Sequence, residues 1–259
     1  MKMGCCIARF DQVAALDAAG GDYYELPVAT LVMAVAAPAA AFREAVTRTR
    51  LKPLAYNVLF PRTLPLVGPS VDRDAVARYF IEAVERIGAG GERVVVFGSG
   101  QSRSVPEAVS RAVALDELER LLRWAAAAAR ARGLVIALEP LRRAESNIFN
   151  TIGECAGFLR ERRLNAIRLV ADSYHMQEEG EPLSAIDSAG DLLVHAHVAD
   201  LGRRPPGHGG YDFAAFFRRL RAAGYQGDCS IECSWTDFPA EIADSLARVR
   251  QAAADAGWA

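Results

Sequence analysis

Short runs of apolar and β-branched residues alternate with longer amphipathic stretches along the whole chain. Such short runs are typical of strands buried in a parallel sheet, whereas apolar positions three or four residues apart indicate a helix packed on one side. The helical period runs through Asp72–Ile87, Asp116–Ala131 and Phe213–Ala223, and glycines mark helix ends at Gly20–Gly21, Gly88–Gly91, Gly133 and Gly224. The predicted strands are Gly4–Ala8, Asp22–Leu26, Pro53–Val58, Arg93–Phe97, Leu134–Glu139, Ala166–Ala171, Leu192–Val198 and Asp228–Cys233.

Strands that alternate with helices form βαβ units and pair in parallel. Eight such repeats favour a closed barrel over an open sheet, and 259 residues is an ordinary length for one barrel. We therefore predict an α/β chain that folds as a single (β/α)8 TIM barrel, with residues 1–259 as one domain. The apolar stretch Val28–Ala41 is too short to cross a membrane and contains Pro38, so we expect a buried segment followed by a helix start.

The overall charge argues against nucleic acid and against an anionic membrane as partners. The formal net charge is −2, and lysine and arginine are spread rather than clustered. Five cysteines without a C-x-x-C pair make a poor disulfide framework and a poor zinc finger, which favours small core residues in a reducing cytoplasm. Since no secretory signal opens the sequence, we expect a cytoplasmic protein. The Gly98-Ser-Gly100 loop has Arg103 where a dinucleotide motif needs glycine, so no nucleotide cofactor is expected.

Polar side chains end four consecutive predicted strands, from the fifth to the eighth. Glu139 ends the fifth, Asp172 follows the sixth, His195 and His197 lie on the seventh, and Glu232 is on the eighth. In barrels of this kind the active site lies at the carboxyl ends of the strands, so these groups should meet at one rim.

Side chains alternate along a strand, and this alternation places each of these groups in the barrel interior. On the seventh strand, His195 and His197 share a face that we place opposite Leu192, Val194 and Val198. Three carboxylates at one rim would repel each other, and a divalent cation removes that penalty. Three carboxylates and one imidazole favour Mn²⁺, with Mg²⁺, Co²⁺ and Zn²⁺ as alternatives.

The two histidines of the seventh strand compete for the fourth ligand position. The spacing to Arg203 favours His197 and leaves His195 as a packed histidine one layer lower. Glu25 and Asn57 end the second and third strands and are weaker candidates for substrate contact.

Five ordered motifs resemble the xylose-isomerase-like barrel superfamily, and within it they are most similar to the D-tagatose 3-epimerase group of ketose 3-epimerases. The resemblance covers roughly residues 134–233, and the first half of the chain matches in strand rhythm. The motifs are Glu139-Pro-Leu-Arg-Arg-Ala-Glu145, Asp172-Ser-Tyr-His175, His197-Val-Ala-Asp200 with Arg203, the Pro-Pro-Gly207-His-Gly209 loop, and Ile-Glu232.

The resemblance implies a role for each matching residue. It makes Glu139 and Glu232 an acid/base pair on opposite faces of a sugar, and it gives substrate contacts to His175, Arg203 and Glu145. It implies that Glu139, Asp172, His197 and Glu232 hold the metal. The expected function is a metal-dependent sugar isomerase or epimerase that moves a proton through a cis-enediolate of a ketose or keto-sugar, with a homodimer or homotetramer as the expected assembly.

Other functions stay open on the same residues. A lyase or dehydratase that eliminates a leaving group from a keto-sugar or keto-glycoside would use the same ligands, and the short segment Met3–Gln12, without the aromatic cover of relatives, favours it. A barrel that binds a sugar without catalysis is a third alternative. An apurinic endonuclease needs histidines from early strands, but all four histidines lie at His175 or later.

Overall fold

Eight parallel strands form a closed barrel in the computed structural model, which describes residues 1–33, 39–88 and 93–258. Each strand pairs with the next in sequence, and the first also pairs with the last, which closes the sheet. The prediction of a single (β/α)8 TIM barrel is confirmed. The strands are β1 (Met3–Cys6), β2 (Tyr23–Pro27), β3 (Pro53–Asn57), β4 (Arg93–Phe97), β5 (Leu134–Leu138), β6 (Arg168–Asp172), β7 (Leu193–Val198) and β8 (Asp228–Ile231).

Helices follow the strands and cover the outside of the barrel. They are α1 (Gln12–Ala18), α2 (Ala39–Arg48), α3 (Arg73–Ile87), α4 (Gly100–Arg103), α5 (Arg111–Arg130), α6 (Ile152–Glu161), α7 (Ser173–Glu178), α8 (Ala185–Ala189), α9 (Phe213–Ala222) and α10 (Phe238–Asp255), with a π-helical turn at Val28–Val32 and a 3₁₀ turn at Leu201–Arg203. Side-chain caps fix several starts: Asp72, Asp212 and Asp237 each accept a hydrogen bond from a backbone N–H in the first turn of the helix that follows.

Two of the three helices predicted from periodicity begin within one residue of the expected position, but α5 begins earlier. It starts at Arg111 because Ser110 accepts a hydrogen bond from Val113 N and caps the helix. The amphipathic pattern alone could not reveal this first turn. At the other end of a helix, Gly88 caps α3 with a φ of 73°, a left-handed conformation that glycine adopts without strain. The rest of the predicted glycine signal, residues 89–91, lies outside the described residues.

The barrel encloses its own small core, separate from the larger layer between barrel and helices. Val96, Ala137 and Val170 form this inner cluster, and Val194 packs against it. The prediction that Val194 faces the helices was therefore wrong. Its neighbour Leu193 packs in the outer layer instead. Leu169 of β6 pairs with Leu193, but the next residue, Val170, pairs with His195, so this register shift interrupts the regular alternation of side chains at Val194.

The first part of the apolar stretch Val28–Ala41 forms a buried turn over Val28–Val32. Val28 and Val32 are fully buried, and α2 begins at Ala39. Residues 34–38, including Pro38, lie outside the described residues. Within the described parts of the chain, no helix combines the length and the apolar character that a bilayer crossing requires.

Candidate metal centre and active site

Four predicted ligand residues meet at the carboxyl-terminal rim of the barrel. One ligand atom from each of Glu139, Asp172, His197 and Glu232 lies within 4.8 Å of the others. His197 Nδ1 is the centre of the group, at 2.7 Å from Glu139 Oε1, 3.3 Å from Glu232 Oε2 and 3.8 Å from Asp172 Oδ2. The sequence therefore selected groups that the fold does bring together.

The spacing of these atoms fits a divalent cation. Ligands at right angles around a cation with bonds of about 2.1 Å lie about 3 Å apart, which is within the range found here. Glu232 Oε2 is buried and accepts no well-formed hydrogen bond within the described residues, although Arg203 Nη2 lies 2.9 Å away, so this oxygen is available to a cation. Three carboxylates and an imidazole suit Mn²⁺, Mg²⁺ or Zn²⁺ by their donor chemistry. The four residues could hold one divalent metal ion.

In Asp172 and Glu232, one carboxylate oxygen accepts hydrogen bonds from neighbouring residues and the other faces the candidate metal centre. Asp172 Oδ1 caps α7 by accepting hydrogen bonds from Tyr174 N and His175 N, which leaves Oδ2 for the centre. Glu232 Oε1 accepts a hydrogen bond from Asn57 Nδ2, which leaves Oε2 near His197. The free oxygens are thus aimed by their bound partners.

The two glutamates differ in their electrostatic surroundings. Burial raises the pKa of Glu139, and Glu232 and Asp172 raise it further against the effect of His197. Burial also acts to raise the pKa of Glu232, but Arg203 and His197 outweigh it and lower that pKa to about 2. Two carboxylates with pKa values pushed apart are typical of an acid/base pair.

A buried carboxylate on β2 orients the histidine. Glu25 is fully buried, with Oε1 3.0 Å from His197 Nε2 and Oε2 2.8 Å from His195 Nε2. An imidazole that donates from Nε2 to a carboxylate presents the lone pair of Nδ1, which here faces the other three ligands. His195 lies one layer lower, as expected, and also approaches Ser230. Cys6, Glu25 and His197 form a second close group, in which Glu25 already binds the imidazole.

Two residues that follow β4, Gly98 and Arg103, determine the position of Glu139. Gly98 leaves space for it, because a Cβ at position 98 would collide with Glu139 Oε2. Arg103 is fully buried and donates hydrogen bonds to the carbonyl oxygens of Phe97, Glu139 and Phe149 at 3.0, 2.9 and 3.3 Å. The residue that breaks the dinucleotide pattern therefore ties β4 to the segment that carries Glu139.

Two of the three predicted substrate residues, Arg203 and His175, lie against the ring of Tyr174, and the third, Glu145, pairs with the arginines over that ring. The guanidinium of Arg203 lies over this ring at 4.9 Å and reaches Glu232 Oε2 at 2.9 Å and Glu145 Oε1 at 3.7 Å. Arg142 covers the ring at 5.2 Å and pairs with Glu145 at 2.8 Å. His175 is buried, with Nε2 3.8 Å from Asp172 Oδ2 and Nδ1 accepting from Arg142 N. Arg203 and His175 thus contact ligand candidates directly, whereas Glu145 is linked to them through Arg203; Tyr174 and Arg142 join this group.

The loop after β7 folds around one buried carboxylate. Asp200 accepts hydrogen bonds from the backbone N–H groups of Leu201, Gly207 and Tyr211. These contacts fix the segment that presents Arg203, whose φ of 58° is unusual for a residue other than glycine.

Comparison with known proteins assigns the chain to a family. A family model described as a xylose isomerase-like TIM barrel matches residues 13–255. The chain belongs to this family. The finding agrees with the closed eight-stranded barrel and with the resemblance seen in the sequence motifs.

The relatives of this xylose isomerase-like barrel include several epimerases. The 3-dehydro-D-guloside 4-epimerase of Escherichia coli (strain K12) is 41% identical over 96 residues, which are 37% of either chain. The L-ribulose 3-epimerase of Methylomonas sp. (strain DH-1) is 37% identical over 137 residues, which are 52% of this chain and 45% of that protein. The aligned segments thus span less than half the length of these curated relatives.

Solved structures match over nearly the whole barrel. The apo form of 3-keto-D-glucoside 4-epimerase from E. coli has a TM-score of 0.76 at 25% identity and covers 97% of this chain and 99% of its own. D-Psicose 3-epimerase with D-tagatose from Clostridium cellulolyticum H10 has a TM-score of 0.79 at 19% identity, covers 98% of this chain and 99% of its own, and supports the fold alone.

Several residues of this family member's site could not be recognised in the sequence. Gly98, Arg103 and Tyr174 contact the candidate ligands or the predicted substrate residues, and the sequence pattern did not show these contacts. Tyr174 had one available signal, because it lies between Asp172 and His175. Gly98 and Arg103 were noted only in a loop that fails the dinucleotide pattern, and their roles depend on partners that follow a different strand.

Proposed function

We propose that this protein is a divalent-metal-dependent epimerase that moves a proton on the carbon beside the carbonyl group of a keto-sugar. The observation that carries the proposal is the position of Glu139 and Glu232, whose oxygens approach His197 Nδ1 at 2.7 and 3.3 Å within one buried cluster. Two carboxylates beside one cation site give a proton acceptor and a proton donor on either side of a bound sugar.

Glu139, Asp172, His197 and Glu232 would hold the cation, and we propose Mn²⁺ because their hard oxygen donors and single imidazole suit it. When bound, the cation would stabilise the negative charge that develops on the sugar oxygens as the carbon loses its proton. Glu25 supports this assignment, because its contact with His197 Nε2 fixes the tautomer that presents Nδ1.

Among the side chains of this site, the two glutamates would carry the proton. One carboxylate takes the proton from the carbon beside the carbonyl, and the electron pair of that C–H bond forms the enediolate of the sugar. The other glutamate, protonated, returns a proton to the same carbon from the opposite face, and the configuration inverts. Arg203 beside Glu232, with Glu145 and His175, would hold the sugar hydroxyls while this happens.

The names of the relatives describe one chemistry at two ring positions. A 2-ketose has its acidic C–H at C3, and a 3-keto sugar has one at C4, so 3-epimerases and these 4-epimerases both act on the carbon next to a carbonyl. The segment Met3–Gln12 does contain one aromatic residue, Phe10 in the loop between β1 and α1, and it packs on Phe42 of α2 with ring centroids 6.1 Å apart. Because this ring is engaged with α2, we propose that the site admits a 3-keto glycoside as well as a free ketose.

The deciding experiment is hydrogen–deuterium exchange followed by NMR. Mn²⁺-loaded protein in D₂O would be incubated with L-ribulose, D-psicose and 3-keto-D-glucoside. We expect deuterium at the carbon beside the carbonyl, conversion to the epimer, and loss of both with a chelator. Release of a leaving group without an epimer would support the lyase instead.

Two variants test the acid/base pair within the same assay. Glu139→Gln and Glu232→Gln should each lower exchange by about 1,000-fold, because proton transfer by a positioned side chain contributes on that order. Glu178→Gln is the matched control, since Glu178 lies on the same rim and pairs with Arg142 at 2.9 Å. Exchange at the wild-type rate in Glu232→Gln would remove that residue from the mechanism.

We further propose that the protein acts on small sugars in the cytoplasm and assembles as a homodimer or homotetramer. All five cysteines are free thiols, which fits a reducing compartment. Sedimentation of the purified protein would give its oligomeric state.

A further inference from the structure

Asn57, the last residue of β3, lies between the cluster and β1. Its side chain is buried, and Nδ2 donates hydrogen bonds to Glu232 Oε1 at 3.0 Å and towards Cys6 Sγ at 3.3 Å. The orientation of the amide follows from its partner, because an ionised carboxylate only accepts hydrogen bonds. Asn57 is thus a fixed donor to one oxygen of a proposed acid/base residue.

The other end of the same amide has no partner. Asn57 Oδ1 is buried and accepts no hydrogen bond within the described residues. A buried acceptor in this condition costs free energy, and native proteins keep such groups mainly where a ligand or water completes them. The backbone gives a second sign: the next residue, Val58, has a φ of 47°, which is strained for a β-branched side chain.

We propose that Asn57 has two roles: it positions Glu232 through Nδ2, and it accepts a hydrogen bond from a substrate hydroxyl through Oδ1. The second role rests on the proposed epimerase function, and the first does not. A keto-sugar carries an O–H donor on the reacting carbon itself and others on nearby carbons, and Oδ1 belongs to the same planar amide that contacts Glu232. The residue therefore connects recognition of a hydroxyl to the placement of the carboxylate that moves the proton.

The positioning role can be measured without turnover. In Asn57→Leu, Glu232 loses its fixed partner, so Mn²⁺ should bind about tenfold more weakly by calorimetric titration. Asn165→Leu is the matched control, because Asn165 is exposed and precedes β6, at the opposite end of that strand from the candidate ligand Asp172. Unchanged Mn²⁺ affinity in Asn57→Leu, or an equal change in Asn165→Leu, would overturn the positioning role.

The hydroxyl contact is tested with monodeoxy analogues of D-psicose in the exchange assay. For the wild type, one analogue should react at least tenfold more slowly than D-psicose in kcat/KM, whereas Asn57→Leu should not distinguish the two. Asn57→Asp keeps an acceptor oxygen and loses the N–H donor, so it should still distinguish D-psicose from the deoxy analogue while its kcat falls. This variant also tests the hydroxyl contact if Asn57→Leu does not fold. Discrimination by Asn57→Leu equal to that of the wild type contradicts this role. If the wild type exchanges no sugar, the epimerase proposal fails, and the Mn²⁺ titration still decides the positioning role.

Discussion

The two halves of the barrel contribute to the site in different ways. Strands β5 to β8 bring the four groups that could bind a cation. Strands β1 to β4 bring residues that contact those groups: Glu25 contacts His197, Asn57 contacts Glu232, and Gly98 makes space for Glu139. The second half of the chain therefore carries the candidate ligands, and the first half carries residues that hold those ligands in position.

This division predicts that a change without any functional group, made in the first half, can disable the second. Gly98→Ala would place a methyl group against Glu139 Oε2 and displace that carboxylate. We expect exchange to fall about 100-fold, since a shift of about 1 Å in a reacting group can have an effect of this size. The measurement is deuterium incorporation by Mn²⁺-loaded protein.

Gly157→Ala is the matched control for this substitution. Gly157 lies in α6, and an added Cβ meets nothing within 4 Å, so activity should stay unchanged while the helix becomes slightly more stable. If Gly98→Ala is as active as Gly157→Ala, the proposed dependence of Glu139 on β4 is wrong.

Removal of the charge beneath the histidine should have the next largest effect. Glu25→Gln keeps the size of the side chain but loses the carboxylate that orients His197 and contacts His195. Substitutions of this type lower metal affinity by roughly 10- to 100-fold, and we expect a loss in that range. Competition with a fluorescent chelator gives the affinity.

A remote carboxylate provides the comparison for Glu25. Glu117 accepts a hydrogen bond from Gly68 N, far from the candidate ligands, and Glu117→Gln should bind the metal as the wild type does. Wild-type affinity in Glu25→Gln would mean that the first half of the barrel does not hold the imidazole in place.

The sequence revealed the two halves to different degrees, for a physical reason. A strand that ends in a carboxylate shows its chemistry locally, so Glu139, Asp172 and Glu232 could be selected from pattern alone. The roles of Glu25 and Asn57 depend on partners 172 and 175 residues away, and no local pattern contains that information. Sequence reasoning therefore gave them only a weaker role in substrate contact.

The fold shows the same limit. Eight strands and their parallel order followed from the alternation of apolar runs, because each repeat is a local pattern. The inward position of Val194 did not, since it depends on a register shift between β6 and β7 that only pairing reveals. From the sequence, Arg103 was noted only because it breaks a dinucleotide motif. Its partners are backbone carbonyl oxygens, which every residue carries, so no side-chain pattern could indicate which ones it would bind.

Within the second half of the barrel, a substitution at Arg203 should affect substrate binding more than proton transfer. Its guanidinium stacks on Tyr174 and pairs with Glu232, and lysine cannot reproduce both contacts. We expect Arg203→Lys to raise KM about tenfold, with a smaller effect on kcat. Arg204→Lys is the control, because the neighbouring Arg204 is exposed and donates only to Leu201 O among the hydrogen bonds of the described residues. A tenfold loss confined to kcat would instead place Arg203 in the chemical step.

Asp200 should show the smallest effect on activity, although it is a buried acid on the same side of the barrel. Burial acts to raise its pKa, but backbone N–H donors from Tyr211, Leu201 and the glycines of the loop outweigh this and lower it. A carboxylate whose pKa is lowered by folding stabilises the protein above its unfolded-state pKa of about 3.9, and that contribution disappears as the pH falls through the folded-state value. Asp200→Asn should therefore lose about 2 kcal/mol of unfolding free energy at pH 7.

The difference between Asp200→Asn and the wild type should narrow as the pH falls below about 4, which urea unfolding at a series of pH values can follow. Proton exchange on the sugar at pH 7 should stay within about twofold of the wild type, because Asp200 binds backbone and not the candidate ligands. A large loss of exchange with unchanged stability would show that this acid belongs to the chemical groups of the second half and not to its scaffold.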